Sequence, residues 1–462
     1  MRIALIVDHP QRDLPGLTLV AHRLCREGMR CFLIPFDMQP QEVLAVRPDF
    51  VLLNFLRRTN ESFAWNLTRL GIRFGVLDTE GALLKSVATY GSTIAHNQRV
   101  REQAVFFSSW GRCFAKEVCS FGWYREDQVR VTGCPRFDYY AAPWRQAVWQ
   151  WTPQTLSRDG GWVLINGSFP MANPMFQSPG EEIDMYVKRF GLHRKAIVDY
   201  QENQRRTLMG LVELTNRLAR RFPDISFVYR PHPFERLSTY EPLLERRDNL
   251  RLVRTGTVDG WIVRSRAVIQ RSCSTAIEAA LVGVPALSPT WIPTNPQPLP
   301  EAVSVPCRSE EELVVTLESI WEGRFQTPVG LQERLDRLVE DWFYRIDGMA
   351  HERVAVCILR SLPNESSWER LPEWRSAYYG ARLRGQSLRS MTSGMVRTWL
   401  GITQQGSPQR WQESEKHFDA TQVERLVQAI SACASNGSGK KSQRVGVKKT
   451  QGDSVELFPI SP

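Results

Sequence analysis

The stretch Gln270-Arg271-Ser272-Cys273-Ser274-Thr275-Ala276-Ile277-Glu278-Ala279-Ala280-Leu281-Val282-Gly283-Val284-Pro285 decides the fold. The apolar run Arg266 to Gln270 leads into it and has the character of a buried parallel strand. Small hydroxyl residues cluster where that strand ends. Helical spacing then covers Ser274 to Val282, Gly283 ends it, and Pro285 prevents its continuation as a new strand begins over Val284 to Leu287. Strand, helix and strand in this order make a βαβ unit of an α/β domain. Ser274 or Thr275 is placed to cap the helix. The open N–H groups and positive dipole end at that point suit a nucleotide phosphate. Glu278, one turn in, is placed to reach a ribose diol. The plain alternative is a βα turn with good caps and no ligand.

Working backwards, Tyr229-Arg230-Pro231-His232-Pro233 closes another strand, Ser226 to Tyr229. Two prolines restrict the backbone around the imidazole. An Arg and a His at the carboxyl end of a strand suit phosphate oxygens; the alternative is a turn histidine without a ligand. Trp162 to Ile165 and Asn249 to Val253 read as further strands, Lys195 to Phe222 as a long amphipathic helix, and Leu331 to Leu362 as a long helical stretch. The first half alternates in the same way. Strands are expected over Ile3 to Val7, Cys31 to Pro35, Phe50 to Phe55, Arg73 to Leu77, Ala104 to Ser108 and Gln128 to Thr132, with a helix from Leu17 to Glu27. Between the halves, a Trp-rich connection is punctuated by Pro143, Pro153, Gly160 and Gly161. The expected organisation is therefore an N-terminal α/β lobe over 1–140, a linker over 141–161, a second α/β lobe over 162–362, and a basic, partly flexible extension over 363–462. Two doubly wound lobes of this kind face a cleft, with ligands beyond the carboxyl ends of the strands.

The 462 residues are 42% hydrophobic and 23% charged, which fits a globular chain and argues against wholesale disorder. No stretch approaches the roughly 18 apolar residues of a spanning helix, and Arg2 to Val7 is too short for a signal peptide. Nine scattered cysteines without C-x-x-C suggest a reduced, cytoplasmic chain. His9, His22 and His96 do not cluster with acids, so no metal site is expected and no cofactor is implied. Neither a P-loop nor a dinucleotide fingerprint is present. The net charge is +10, and from Asn364 to Pro462 there are 14 basic against 9 acidic residues, half of the surplus. Lys440, Lys441, Arg444, Lys448 and Lys449 follow a Ser/Gly-rich stretch. They read as a solvated tail or as a weak electrostatic tether to the anionic inner membrane leaflet. Nucleic-acid binding is suggested by charge alone, with no motif behind it, and is not expected.

These residues resemble a family. His232-Pro233 is similar to the HP motif, and Gln270-Arg271-Ser272 to the serine motif, of bacterial GT-B glycosyltransferases such as capsule Kdo transferases and polysialyltransferases. The CDP-glycerol glycerophosphotransferases carry similar elements, and the bacterial surface carbohydrate biosynthesis proteins resemble the chain more closely. Arg12-Asp13-Leu14, Asp78-Thr79-Glu80-Gly81, Gly133-Cys134-Pro135-Arg136-Phe137-Asp138 and Asn166-Gly167-Ser168-Phe169 add to the likeness, which spans roughly residues 1–360 by motif order. Two positions depart from it: Thr79 stands where a third acid is expected, and Cys134 where Asn is commoner.

The resemblance implies a metal-independent GT-B transferase that moves a CMP-activated sugar, such as Kdo or a nonulosonate, to a glycan or lipid-linked acceptor. It implies His232 and Ser272 at the donor phosphate, with Ser274 and Thr275 at the helix end. Arg230, Gln270, Glu278, Asn166 and Gly167 complete the expected donor set, and Arg271 is a further phosphate partner. Displacement at an anomeric carbon needs a base for the acceptor hydroxyl and positive groups for the leaving phosphate. Glu80 and Asp78, then Asp13, are the candidate bases, with helix capping as their alternative role. Trp144, Trp149 and Trp151 offer either a sugar-stacking surface or seam filling. Two other functions share these motifs: a CDP-alcohol phosphotransferase, which attacks phosphorus and also releases CMP, and a scaffold that binds nucleotide without turnover.

Overall fold

The computed structural model describes residues 1–79, 91, 94, 96–151, 161–190, 193–366, 368, 372–375, 377–385, 416–435 and 444–460. It divides into two compact units, Met1–Gln150 with Val339–Pro462, and Trp151–Leu338. Each is α/β and doubly wound.

The first unit is built on the parallel strands β1 (Arg2–Val7), β2 (Arg30–Pro35), β3 (Phe50–Leu53), β4 (Arg73–Leu77), β5 (Phe107–Ser109) and β6 (Val129–Val131). Every residue from Ile3 to Val7 and from Phe50 to Leu53 is buried, because helices cover both faces of the sheet. The spatial order β2-β1-β3-β4-β5-β6 reverses direction between β1 and β3. Helix Pro10–Cys25 lies close to the 3-10 turn Pro135–Tyr140. A Cβ on Gly16 would stand 2.7 Å from the Arg136 amide nitrogen, so only glycine fits there.

The chain after residue 338 departs from the expected layout. The helical stretch foreseen over Leu331 to Leu362 is a helix, Leu331–Leu338, a π turn, Val339–Phe343, and a separate helix, Ala350–Ser361. Tyr344 and Gly348, with φ of 65° and 71°, break it. Asp138 restarts it: its carboxylate accepts from the amides of Ala350 (2.9 Å) and His351 (2.7 Å). Val339 onward thus groups with the first unit, where sequence placed it in the second lobe or in an extension.

Part of that extension is folded. Helix Ala420–Ser435 packs on helix Pro10–Cys25, with Ser431 Oγ 3.3 Å from His22 Nε2. The hairpin β13 (Arg444–Lys449) and β14 (Val455–Ile460) joins the sheet antiparallel to β2. Of the basic run, Lys440 and Lys441 lie outside the described residues. Lys448 reaches Glu456 at 3.2 Å, while Arg444 and Lys449 are exposed on β13.

The foreseen linker contains helix Arg145–Trp151. Trp144 is buried, donates its Nε1–H to Gly348 O (2.9 Å) and meets the His351 ring edge-on, so it fills the first unit and offers no sugar platform. The side chains of Trp149 and Trp151 lie outside the described residues.

The second unit carries six parallel strands: β7 (Trp162–Asn166), β8 (Ser226–Arg230), β9 (Leu250–Leu252), β10 (Ser265–Gln270), β11 (Ala286–Pro289) and β12 (Val305–Cys307). Their order is β12-β11-β10-β7-β8-β9, so the winding reverses between β10 and β7. Helix Arg194–Arg221 supplies Leu208, Leu211, Val212 and Leu218 to the core against this sheet. Among the described residues no helix is long and apolar enough to cross a membrane.

Candidate functional site

In the second unit the expected donor residues come together at the carboxyl edge of three adjacent strands. Gln270, Asn166 and Arg230 are register partners in one row across β10, β7 and β8. The gap between β10 and β7 is the reversal point, where a doubly wound sheet leaves a crevice for ligands. Asn166 lies there with 2% of its surface exposed, and among the described residues its Nδ2 has no hydrogen-bond partner. A buried donor left without a partner costs about 1–3 kcal/mol unless a ligand meets it. Gly167 follows, where a Cβ would stand 2.3 Å from the Phe169 ring.

His232 is half-buried in the turn after β8. Its Nδ1 accepts the Phe234 amide at 3.2 Å, which makes Nε2 the proton-bearing nitrogen of the neutral ring. Below it lies Glu235, which sequence did not single out. This carboxyl is wholly buried; Oε1 accepts from the amides of Phe169 (2.9 Å) and His232 (3.0 Å), and Oε2 from the Tyr240 hydroxyl. Burial pushes its pKa up to about 7, against the opposing pull of these bonds.

The Gln270–Glu278 turn differs from expectation in its capping. Ser274 is the N-cap but has helical φ and ψ and makes no side-chain cap bond. The Thr275 hydroxyl points to Cys273 Sγ at 3.2 Å. The turn is held by Gln270, whose Oε1 accepts the Cys273 amide at 2.7 Å and whose Nε2 donates to Ser304 Oγ at 2.9 Å. Ser272 adopts φ 58°; its hydroxyl lies 3.2 Å from Glu301 Oε1 and accepts the Gln297 amide at 3.1 Å. Glu278 is buried near Asp259, where burial foremost and then the Glu278 charge raise the Asp259 pKa.

Both arginines expected at the phosphate bond to their own unit. Arg230 donates to Thr255 O (3.0 Å) and Gly256 O (2.7 Å), and burial lowers its pKa to about 10. Arg271 donates to Ile292 O (2.9 Å) and pairs with Glu301 (2.8 Å). Sequence proximity to the strand ends suggested a ligand role; these distant partners were not visible in it.

In the first unit the reversal point holds Asp8, Arg12 and Asp13 after β1 and Asn54 after β3. Arg12 contacts both Asp13 oxygens (2.7 and 3.0 Å), Asp8 (3.3 Å) and Thr79 Oγ1 (3.2 Å). Asp13 also accepts the His9 amide at 3.1 Å. It is therefore the partner of an ion pair and a cap. Lys416 reaches Asp8 at 3.3 Å; its distance in sequence hid that contact. The Asn54 side chain is buried, and among the described residues it has no hydrogen-bond partner at either end. Asp78 is fully buried one strand further out, and Glu80 lies outside the described residues. Among the described residues no group of three or more His, Cys, Asp or Glu side chains is arranged to hold a metal.

No family model matches the chain, and no curated protein matches it significantly. Solved structures do. A protein assigned as a UDP-N-acetylglucosamine 2-epimerase, from Listeria monocytogenes, is similar over 79% of this chain and 98% of its own at 13% identity, with a TM-score of 0.50. That likeness shows the fold, GT-B-like with two doubly wound units. The UDP-GlcNAc 2-epimerase of Methanocaldococcus jannaschii is 13% identical over 78% of this chain and 100% of its own, with a TM-score of 0.49. A variant of the wall teichoic acid polymerase TagF is 14% identical over 57% of this chain and 60% of its own, with a TM-score of 0.35.

Proposed function

We propose that the chain is a glycosyltransferase of surface-polymer synthesis that takes a nucleotide-linked sugar, CMP-linked by the motif resemblance, and transfers the sugar to a glycan or lipid-linked hydroxyl. The observation that carries this reading is the sheet edge at the β10–β7 reversal point, which carries the half-buried His232 turn, the buried Asn166 amide, unpartnered among the described residues, and the Ser272–Thr275 turn. His232 Nε2–H and Asn166 Nδ2–H are the donors assigned to the leaving phosphate, and Ser274 is a third. Arg230, Arg271, Gln270 and Glu235 act by holding the loops. In the first unit Glu80, then Asp78, is assigned the acceptor proton, and Asp13 a positioning role through Arg12.

The test is a panel of CMP-, CDP-, UDP- and GDP-linked compounds measured for binding and hydrolysis on the wild type and His232→Ala. Binding of a CMP-sugar, weakened about tenfold or more in the variant, is expected for a lost phosphate hydrogen bond. Equal binding by both proteins would remove the site. Preference for a UDP-sugar would replace the cytidine assignment, and transfer of a phosphate-bearing group would replace the reaction.

A further inference from the structure

Two loops border the donor crevice: residues 166–177 after β7 and 231–240 after β8. Several bonds join them at the rim. The Met175 amide donates to Phe234 O (3.0 Å), Asn173 Nδ2 to Arg236 O (2.9 Å), Thr239 Oγ1 to Asn173 Oδ1 (2.7 Å) and Arg236 to Gln177 O (2.7 Å). Beneath them, one wholly buried carboxyl takes an amide from each loop: Glu235 Oε1 receives Phe169 N–H and His232 N–H together. The two amides belong to the segments that carry Asn166 and His232. A change at Glu235 is thus felt at once in both loops on the β7–β8 side of the crevice.

We propose that Glu235 is a positioning residue that clamps the 166–169 segment to the His232 turn, and that its proton sets how tightly the donor is held. The functional half of this rests on the donor reading above; the clamp itself does not. When the carboxyl is ionised, both oxygens accept, and the two amides, the Tyr240 hydroxyl and the Asn173 side chain are all satisfied by it. When it is protonated, one oxygen must donate, and the Tyr240 oxygen is the bonded partner able to accept. The Tyr240 bond then reverses, and the two amides share a neutral oxygen, which holds them less strongly. The pKa near 7 places this change in the physiological range. The titratable groups acting on the carboxyl are the Tyr240 and Tyr229 phenols and the Cys273 thiol, and the His232 ring is carried on the same turn, three residues away. Burial raises the first three well away from neutrality. His232 is the competing titration, so the variant has to separate the two. Glu235→Gln does: its amide oxygen still accepts both N–H groups, its NH2 donates to Tyr240, and it has no proton to lose.

The experiment is hydrogen–deuterium exchange on the full chain, corrected for intrinsic rates, in the wild type, Glu235→Gln and Tyr240→Phe, together with CMP-sugar affinity, from about pH 6 to about pH 8. Expected in the wild type is a joint rise in protection of segments 166–173 and 231–236 as pH passes neutrality. The rise is about tenfold, the scale of a hydrogen bond gaining a charged acceptor. Glu235→Gln shows no such rise and keeps its fold, and Tyr240→Phe moves the wild-type midpoint. CMP-sugar affinity follows the same curve in the wild type and loses the Glu235 component in the Gln variant. Independent behaviour of the two segments, or a wild-type pH response retained by Glu235→Gln, overturns the clamp. If no nucleotide binds to any of the proteins, the donor reading fails, while the exchange data still decide the clamp.

Discussion

Two buried asparagines of the second unit have opposite local accounts, and the contrast yields a prediction. Asn249 Nδ2 donates to the carbonyls of Ala219, Phe222 and Ile225, tying the end of helix Arg194–Arg221 to the start of the sheet. Asn166 Nδ2 donates to no group among the described residues. Chemical denaturation should therefore show Asn249→Ala losing about 1–3 kcal/mol, with ligand-free Asn166→Ala no less stable than the wild type. Calorimetry should show the reverse for nucleotide affinity: Asn166→Ala weakened about tenfold, Asn249→Ala unchanged. Loss of stability in Asn166→Ala with full affinity would mean that its amide is structural. At this scale the strand-end positions of His232 and Asn166 were legible because an apolar run leads up to each, one of them set between prolines. Glu235 was not: Phe234-Glu235-Arg236 has the composition of an exposed loop, and nothing in its spacing reveals the Phe169 amide above it. Arg271 misled for the mirror reason, since its partner Glu301 is a contact made only by the fold.

The βα elements of both units could be read because parallel strands buried on both faces leave continuous apolar runs. The hairpin β13–β14 could not. Val445, Val447, Val455 and Leu457 carry the alternation of strands, but the flanking charges and the Ser/Gly-rich stretch before them outweighed it. Its turn closes on Glu42, which accepts from the Asp453 amide (2.9 Å) and Ser454 Oγ (2.7 Å). A Cβ on Gly452 would lie 2.0 Å from Glu42 Oε1, so either the turn or the Glu42 carboxylate that holds it must shift to take any other residue. Gly452→Ala is expected to cost about 1–3 kcal/mol and Leu457→Ala, wholly buried, about 2–4 kcal/mol. Both are checked by urea unfolding, and unchanged midpoints would detach the hairpin from the sheet. The break at Tyr344–Gly348 was equally hidden, because Asp138, which caps the following helix, lies far back in the chain.

For the molecule as a whole, the C-terminal residues belong to the first unit, and a buried histidine makes that attachment pH-sensitive. His22 lies on helix Pro10–Cys25 beside Ser431, and burial, with lesser effects of Arg26 and His351, lowers its pKa to about 4. The unfolded chain takes up that proton near pH 6.5, as ordinary histidine does. Between these values the folded state binds fewer protons, so stability falls as pH drops from about 6.5 to about 4, by a full amount on the order of 3 kcal/mol. Urea midpoints across this window should fall less steeply in His22→Gln; parallel curves would contradict the assignment. The two-unit GT-B-like plan follows from the alternation of elements, whereas the return of the chain to its first sheet rests on long-range pairing that no local pattern announces. The claim on which the functional account turns is the nucleotide crevice at the β10–β7 reversal. A structure of the full chain with a CMP-linked sugar bound tests it most directly. The account predicts phosphate oxygens within hydrogen-bond reach of His232 Nε2 and Asn166 Nδ2; a nucleotide seated instead beside Asp8 and Asn54 of the first unit would contradict it.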